Sequence, residues 1–225
     1  DYQRKAIGSG PFTVADFQPG HSLKLARSDT YHGTKAASNV VEFMQYSDAD
    51  ALSKALTDGS LDMAAPVSAS TATGLNGKDG LTVKEGATTD KVLLAYNNGT
   101  DSLLSDEQAR KAFRYQIDAA GIASAQPDAA GALGGPISLL EPGYEDLTGL
   151  YPHDENQAGQ MFSYFGAQYL TTVNLVVPEE YRSLAETIKQ QIERQPRPTV
   201  NLEVLSDEDY AKRIKDGKWE LTVMS

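Results

Sequence analysis

The residues able to do acid–base, nucleophilic or metal chemistry are sparse and scattered. His21, His32 and His153 stand far apart, with none of the close spacing that a histidine metal site or proton relay needs. There is no cysteine, which excludes thiolate metal centres, cysteine nucleophiles and disulfides. No Gly-x-Ser-x-Gly elbow occurs, and Gly8-Ser9-Gly10 is too short, and lacks the lysine, to cradle a phosphate. The paired acids Glu179-Glu180 and Asp207-Glu208-Asp209 fall where helices should begin, and the positive end of a helix dipole accounts for them. Asn98-Gly99-Thr100 fits a glycosylation acceptor, but a tight turn is the simpler meaning.

What remains is binding chemistry. In α/β sheets, loops at the carboxyl ends of strands present ligands. Tyr96 and Asn97 end an apolar run and are candidates on that ground, with a plain strand end as the equal alternative. Gly134-Gly135-Pro136-Ile137 is a second candidate, since glycines let backbone amides approach a ligand, although they also simply make turns. Ala65-Pro66 follows the first of two similar segments and Met224-Ser225 ends the second, so both become candidates by symmetry. Trp219, the single tryptophan, is read as core packing or an exposed anchor on a strand with Leu221 and Val223.

The elements that must position these residues are organised around a repeated pattern. Residues 40–65 and 200–225 each run apolar strand, Ser-Asp-x-Asp, amphipathic helix, Asp-Gly, second apolar run. Ser47 and Ser206 are expected to cap the helices, with Asp50 and Asp209 three residues on. Leu52 with Leu56, and Tyr210 with Ile214, share a helix face, and Gly59 and Gly217 suit left-handed helix ends. Each unit predicts two parallel strands joined by a helical crossover. Strands are also expected at residues 12–17, 22–27, 81–85, 91–96 and 172–177. Helices are expected over residues 105–122, capped by Ser105 with Gln108, and on the faces Ala158, Met161, Phe162, Phe165 and Leu184, Ala185, Ile188, Ile192. Residues 66–80 read as a loop or a weak helix, and residues 123–152 as a long Gly- and Pro-rich loop of the kind that often binds ligands.

With 225 residues, 40% hydrophobic and 23% charged, the chain can fold as one large or two small globular domains. A net charge of −11 argues against nucleic acid and anionic membrane surfaces as partners. No apolar run approaches the roughly 18 residues of a membrane span. Starting at Asp1 with no signal peptide, the sequence is expected to be a processed or excised piece of something longer.

Several stretches, in order, resemble the family 5 extracytoplasmic solute-binding proteins, the peptide and nickel receptors of ABC importers. Gly8-Ser-Gly-Pro-Phe12 is similar to the family's Gly-Thr-Gly-Pro-aromatic turn, and ALSKALTDGSLDM at residues 51–63 to its helix followed by Gly-Glu-hydrophobic-Asp. Leu94-Ala-Tyr-Asn97, followed by Arg110, Ala112, Phe113, Ile117 and Asp118, resembles its central signature. LAETIKQQI at residues 184–192 and the stretch from Asp209-Tyr210 to Trp219-Glu220-Leu221 resemble its later helix and final motif. The Gly134-Gly135-Pro136-Ile137 run resembles its cleft-facing loop.

The resemblance implies an α/β fold of the type II periplasmic-binding-protein kind, two lobes with mixed sheets, here incomplete. Residues 1–90 would belong to lobe one and residues 91–225 to the second, C-terminal lobe, crossing near residues 90–97. Family members are longer, so the first part of lobe one and an aromatic-and-aspartate ligand motif after Ser225 would be missing. The implied activity is non-catalytic capture of oligopeptides or dipeptides by lobe closure, with no cofactor and no metal. The implied partners are the solute and an ABC permease in the membrane. The protein would be a monomer, extracytoplasmic in a bacterium, either periplasmic or a lipoprotein at the cell surface. The alternatives are a receptor of the same family for a nickel chelate, haem or oligosaccharide, or an enzyme or sensor ligand domain sharing the fold. The piece alone is expected to bind ligand weakly or not at all.

Overall fold

The computed structural model describes residues 8–164 and 168–225. The chain forms two compact units, Asp1–Lys84 and Glu85–Ser225.

In the first unit, alternating apolar and polar residues give a three-stranded antiparallel sheet in the order β1-β2-β3. β1 (Phe12–Gln18) and β2 (Ser22–Arg27) form a hairpin whose turn needs Gly20 at a φ of 73°. β3 (Val40–Met44) pairs with the other edge of β2. The register sets Phe17 opposite Leu23 and Leu23 opposite Phe43, and likewise Val14, Leu25 and Val41, so these side chains share one face. That face stays largely open, with Phe43 57% exposed. Asp16, Lys24 and Glu42 make a charged row on the other face.

The helix of the first repeat, α1 (Ala49–Thr57), is capped one residue later than the sequence suggests. Asp48 accepts from the Ala51 amide at 2.7 Å, while the Ser47 hydroxyl donates to the Asp48 carboxylate. A carboxylate is the stronger acceptor at a helix start, and it displaces the serine. Gly59 ends the helix at a φ of 78°. No strand follows at residues 61–65; Leu61 instead donates back to the Ala55 carbonyl. The chain continues through a cis Ala65–Pro66 bond into α2 (Ala69–Leu75), capped by Ser68. Residues 81–85 form no strand either. Among the described residues of this unit, Ala55 and Leu75 are the buried apolar side chains, so the main core lies elsewhere.

The second unit holds that core. β4 (Leu93–Tyr96), β5 (Thr172–Pro178), β6 (Thr199–Leu205) and β7 (Leu221–Met224) form a mixed sheet in the order β4-β7-β5-β6. β5 runs parallel to β6 and β7, and β4 is antiparallel to β7. The second repeat therefore closes as expected into parallel strands, although β5 lies between them. Its helix, α7 (Asp207–Lys215), is capped by Ser206 and ends at Gly217 with a φ of 68°.

The helix expected over residues 105–122 is divided into α3 (Glu107–Gln116) and α4 (Ala119–Ser124), with Asp106 rather than Ser105 as the first cap. A buried polar cluster around Gln116 sits at the interruption. The Gln116 side-chain amide donates to the Gln191 carbonyl at 2.6 Å and accepts from Gln195. The Gln191 side chain takes the Asp118 amide, and Asp118 then caps α4 through Gly121. α5 (Glu155–Tyr164) and α6 (Arg182–Ile192) supply the expected apolar faces, save that Phe165 lies outside the described residues. Pro178 ends β5 and leads into a single 3₁₀ turn, Glu179–Tyr181, before α6. Phe113 and Phe162 meet edge to face at 5.2 Å in the middle of the core, among Leu170, Leu175, Ile192 and Leu221.

Candidate functional site

The pairing of β4 with β7 sorts the sequence candidates. Tyr96 sits opposite Leu221, and Leu93 sits opposite Met224. Tyr96 and Asn97 thus lie at one end of the pair and Met224 and Ser225 at the other, about 10 Å along the strands. Because β4 is antiparallel, its carboxyl end does not join those of β5, β6 and β7.

The Asn97 side chain is used internally. Its amide nitrogen donates to the carbonyls of Gly217 at 3.1 Å and Trp219 at 2.8 Å, and its oxygen accepts from the Gly99 amide. It clasps the start of β4's exit loop to the turn before β7. Tyr96 is half-buried, with its ring 6.3 Å from that of Phe113. Burial pushes its phenol up to about 12, against the opposing pull of Arg114. Trp219 precedes β7 rather than lying in it, and its indole donates to the Ile214 carbonyl at 3.3 Å. Ala65 and Pro66 are exposed in the first unit, on irregular backbone.

The long loop is fixed at several points. Gly134 makes a close approach to its own chain: a Cβ there would meet the Leu147 carbonyl carbon at 2.2 Å and the Thr148 nitrogen at 2.4 Å. Its glycine character thus serves loop packing. Gly135 has only an ordinary contact, 3.8 Å to a Leu147 methyl. The Gly134 carbonyl accepts from Arg114, whose guanidinium stands 5.7 Å from the centre of the Tyr151 ring, and Tyr151 meets Tyr115 edge to face. Farther out, Glu141 accepts from the Lys91 ammonium and from the Ser138 amide at 2.7 Å, and the Glu141 amide donates to the Ser138 carbonyl. Lys91 is two residues before Leu93, so this turn stands at the Met224 end of the sheet. Ile137, Leu139 and Leu140 project from it, 40%, 63% and 56% exposed.

The bond between Lys91 and Glu141 therefore ties the outer turn of the loop, residues 138–141, to the segment entering β4, at the end of the sheet where Met224 lies. Neither Lys91 nor Glu141 stands out in the sequence, because an acid and a base 50 residues apart leave no local pattern. The hydrogen bond from Lys91, followed by that from Ser138, lowers the Glu141 carboxyl from 4.5 to about 2. A depressed carboxyl stabilises the folded state fully above its unfolded value and loses that contribution as pH falls toward the folded one. A carbon-detected NMR titration is expected to place the Glu141 midpoint near 2. In a Lys91→Met variant the midpoint should climb back toward the ordinary range. An unchanged midpoint would show that Lys91 is not the cause.

Two of the open depressions among the described residues hold none of the candidate binding residues. One is lined by His21, Gln45 and Ala51 among others, and one by Glu155, Gly159, Tyr164 and Gln195. His21, His32 and His153 are exposed, with His153 3.6 Å from Glu155. No group of three or more metal-ligating acids and histidines occurs among the described residues. No described helix is long and apolar enough to cross a membrane.

A family model described as bacterial extracellular solute-binding proteins, family 5 middle, matches residues 1–225. No curated protein matches the chain. Among solved structures, NikA from Brucella suis in complex with Fe(III)-EDTA is 18% identical with a TM-score of 0.77, over 97% of this chain and 47% of that one. The ABC transporter substrate-binding protein CtaP from Listeria monocytogenes is 17% identical, also at 0.77, over 100% of this chain and 47% of its own. The oligopeptide-binding protein AppA from Bacillus subtilis, in complex with a nonapeptide, is 20% identical at 0.67, over 97% and 47%. The chain spans about half the length of these structures, and the likeness is one of mixed α/β fold.

Proposed function

The chain belongs to the family 5 bacterial extracellular solute-binding proteins, and from that membership we propose that it is part of the receptor of an ABC importer for oligopeptides or dipeptides. The observation that carries this reading is the match of fold over nearly the whole chain to binding proteins, one of them in complex with a nonapeptide. Capture is non-catalytic: a solute that contacts two lobes more favourably when they are closed shifts the hinge equilibrium toward closure. The first compact unit supplies part of lobe one and the second part of the C-terminal lobe. The protein acts as a bacterial extracytoplasmic monomer, periplasmic or lipid-anchored, that delivers its solute to a membrane permease.

Within the second unit we assign ligand contact to Gly135, Ile137, Met224 and Ser225, a reading supported by the bond from Lys91, two residues before β4, to Glu141 in the same loop. Asn97, Tyr96 and Gly134 support the scaffold, as their internal contacts indicate. Ala65 and Pro66 are the contacts assigned to the first unit. A nickel-chelate receptor is the second reading, favoured by the likeness to NikA from Staphylococcus aureus in complex with Ni(L-His)2.

The readings separate in a calorimetric titration of a full-length polypeptide carrying this chain, against peptides of increasing length, nickel–histidine, haem and an oligosaccharide. Micromolar or tighter binding of peptides, with the other solutes silent, is expected. Saturation by nickel–histidine with silent peptides would transfer the assignment to the metal chelate.

A further inference from the structure

We propose that Lys91 and Glu141 form a latch that positions the ligand loop, holding the Ser138–Glu141 turn so that the Gly135–Ile137 stretch is ordered before solute arrives. This rests on the peptide-receptor reading for the identity of the solute, but not for the existence of the latch.

The geometry of the loop points to it. Arg114 and the Tyr115–Tyr151 pair hold the two flanks of the loop, at Gly134 and at Tyr151. Between them the outer turn is closed on itself by the Ser138 amide on the Glu141 carboxylate and the Glu141 amide on the Ser138 carbonyl. A closed turn fixes its own shape but not its place. The bond that places it is the one to Lys91, on the segment entering β4. Ser138 is buried beneath the turn, 5% exposed, whereas Ile137, Leu139 and Leu140 face water. Three apolar side chains held outward do not order themselves by burial, so the turn depends on the polar bond for its position. A loop ordered in advance loses less conformational entropy when solute binds, which raises affinity without any new contact.

Both partners are partly exposed and water screens the pair, so its loss is expected to act on the loop more than on the core that folds the unit. The latch is therefore separable from folding. Three variants divide its roles. Lys91→Met keeps an unbranched apolar stem, one atom shorter, and removes the charge. Glu141→Gln keeps an acceptor for the Ser138 amide and removes the charge. Lys91→Arg keeps a cation within reach of the carboxylate.

The test measures hydrogen exchange at residues 135–141 and peptide affinity, both in the full-length polypeptide. Lys91→Met and Glu141→Gln are each expected to speed exchange in this loop about tenfold while β5 and β7 stay protected. Both should weaken peptide binding about fivefold, the scale of one ordering cost lost. Lys91→Arg should restore both readouts, which a general loss of stability would not do. Unchanged exchange in the loop overturns the latch, whatever the protein binds. Faster exchange with unchanged affinity overturns its positioning role. A full-length polypeptide that takes no peptide, yet shows the faster exchange, overturns the peptide reading and leaves the latch supported.

Discussion

Phe113→Ala is expected to destabilise the Glu85–Ser225 unit by about 3–5 kcal/mol, the range for removing a large aromatic from a closed core. Phe113 is fully buried, and its ring meets Phe162 at 5.2 Å and Tyr96 at 6.3 Å, joining α3 to α5 and to β4. The loss therefore combines the transfer of a whole ring with a cavity that three elements cannot all move to fill. Since domains are stable by only about 5–15 kcal/mol, such a loss is a large part of the total. Urea denaturation followed by far-UV circular dichroism measures it directly. Phe43→Ala, at a position 57% exposed, is the comparison and should cost under about 1 kcal/mol. Equal losses at the two positions would mean that the core is not where the structure puts it.

Gly134→Ala is expected to cost about 1–3 kcal/mol and to open the loop to proteases. The added methyl would stand 2.2 Å from the Leu147 carbonyl carbon and 2.4 Å from the Thr148 nitrogen, and neither is the tip of a flexible side chain. To accept it, the two passes of the loop must separate, which also pulls the Gly134 carbonyl from Arg114. Gly135→Ala, with its nearest contact at 3.8 Å, should change stability by less than about 0.5 kcal/mol. The measurement is thermal unfolding together with limited proteolysis over residues 132–151. A Gly134→Ala protein as stable and as resistant as its Gly135 counterpart would contradict the close approach.

These two glycines show where sequence reading stops. A Gly-Gly pair announces freedom of backbone, and that much was legible. Whether the freedom serves a ligand or a second pass of the same chain depends on Leu147, twelve and thirteen residues away, and no local pattern encodes it. The repeated unit teaches a similar lesson. Its helices and the left-handed glycines at their ends were legible in both copies, because caps and periodicity are local. Its second strand forms after Gly217 and not after Gly59. A strand needs a hydrogen-bonding neighbour; β7 finds β4 and β5, and residues 61–65 find none among the described residues.

The candidate site divides in the same way. Residues 22–27 read as a strand and form β2 with those bounds, since strict alternation has one solution in a hairpin. The direction of β4 relative to β7 is not contained in either strand, and it is this direction that parts Tyr96 and Asn97 from Met224 and Ser225. Helix ends were legible to within a residue or two. Asp48 and Asp106 displaced the neighbouring serines as caps, and Gln191, from a distant helix, took the Asp118 amide at the break between α3 and α4.

Whether solute is captured without chemistry is decided by a calorimetric titration of the full-length polypeptide with peptide. Non-catalytic capture should give heat pulses that return to baseline after each injection, saturation at one peptide per protein, and recovery of the peptide intact. A sustained heat signal with cleaved peptide would contradict it, and so would the absence of any saturable heat with peptides of every length.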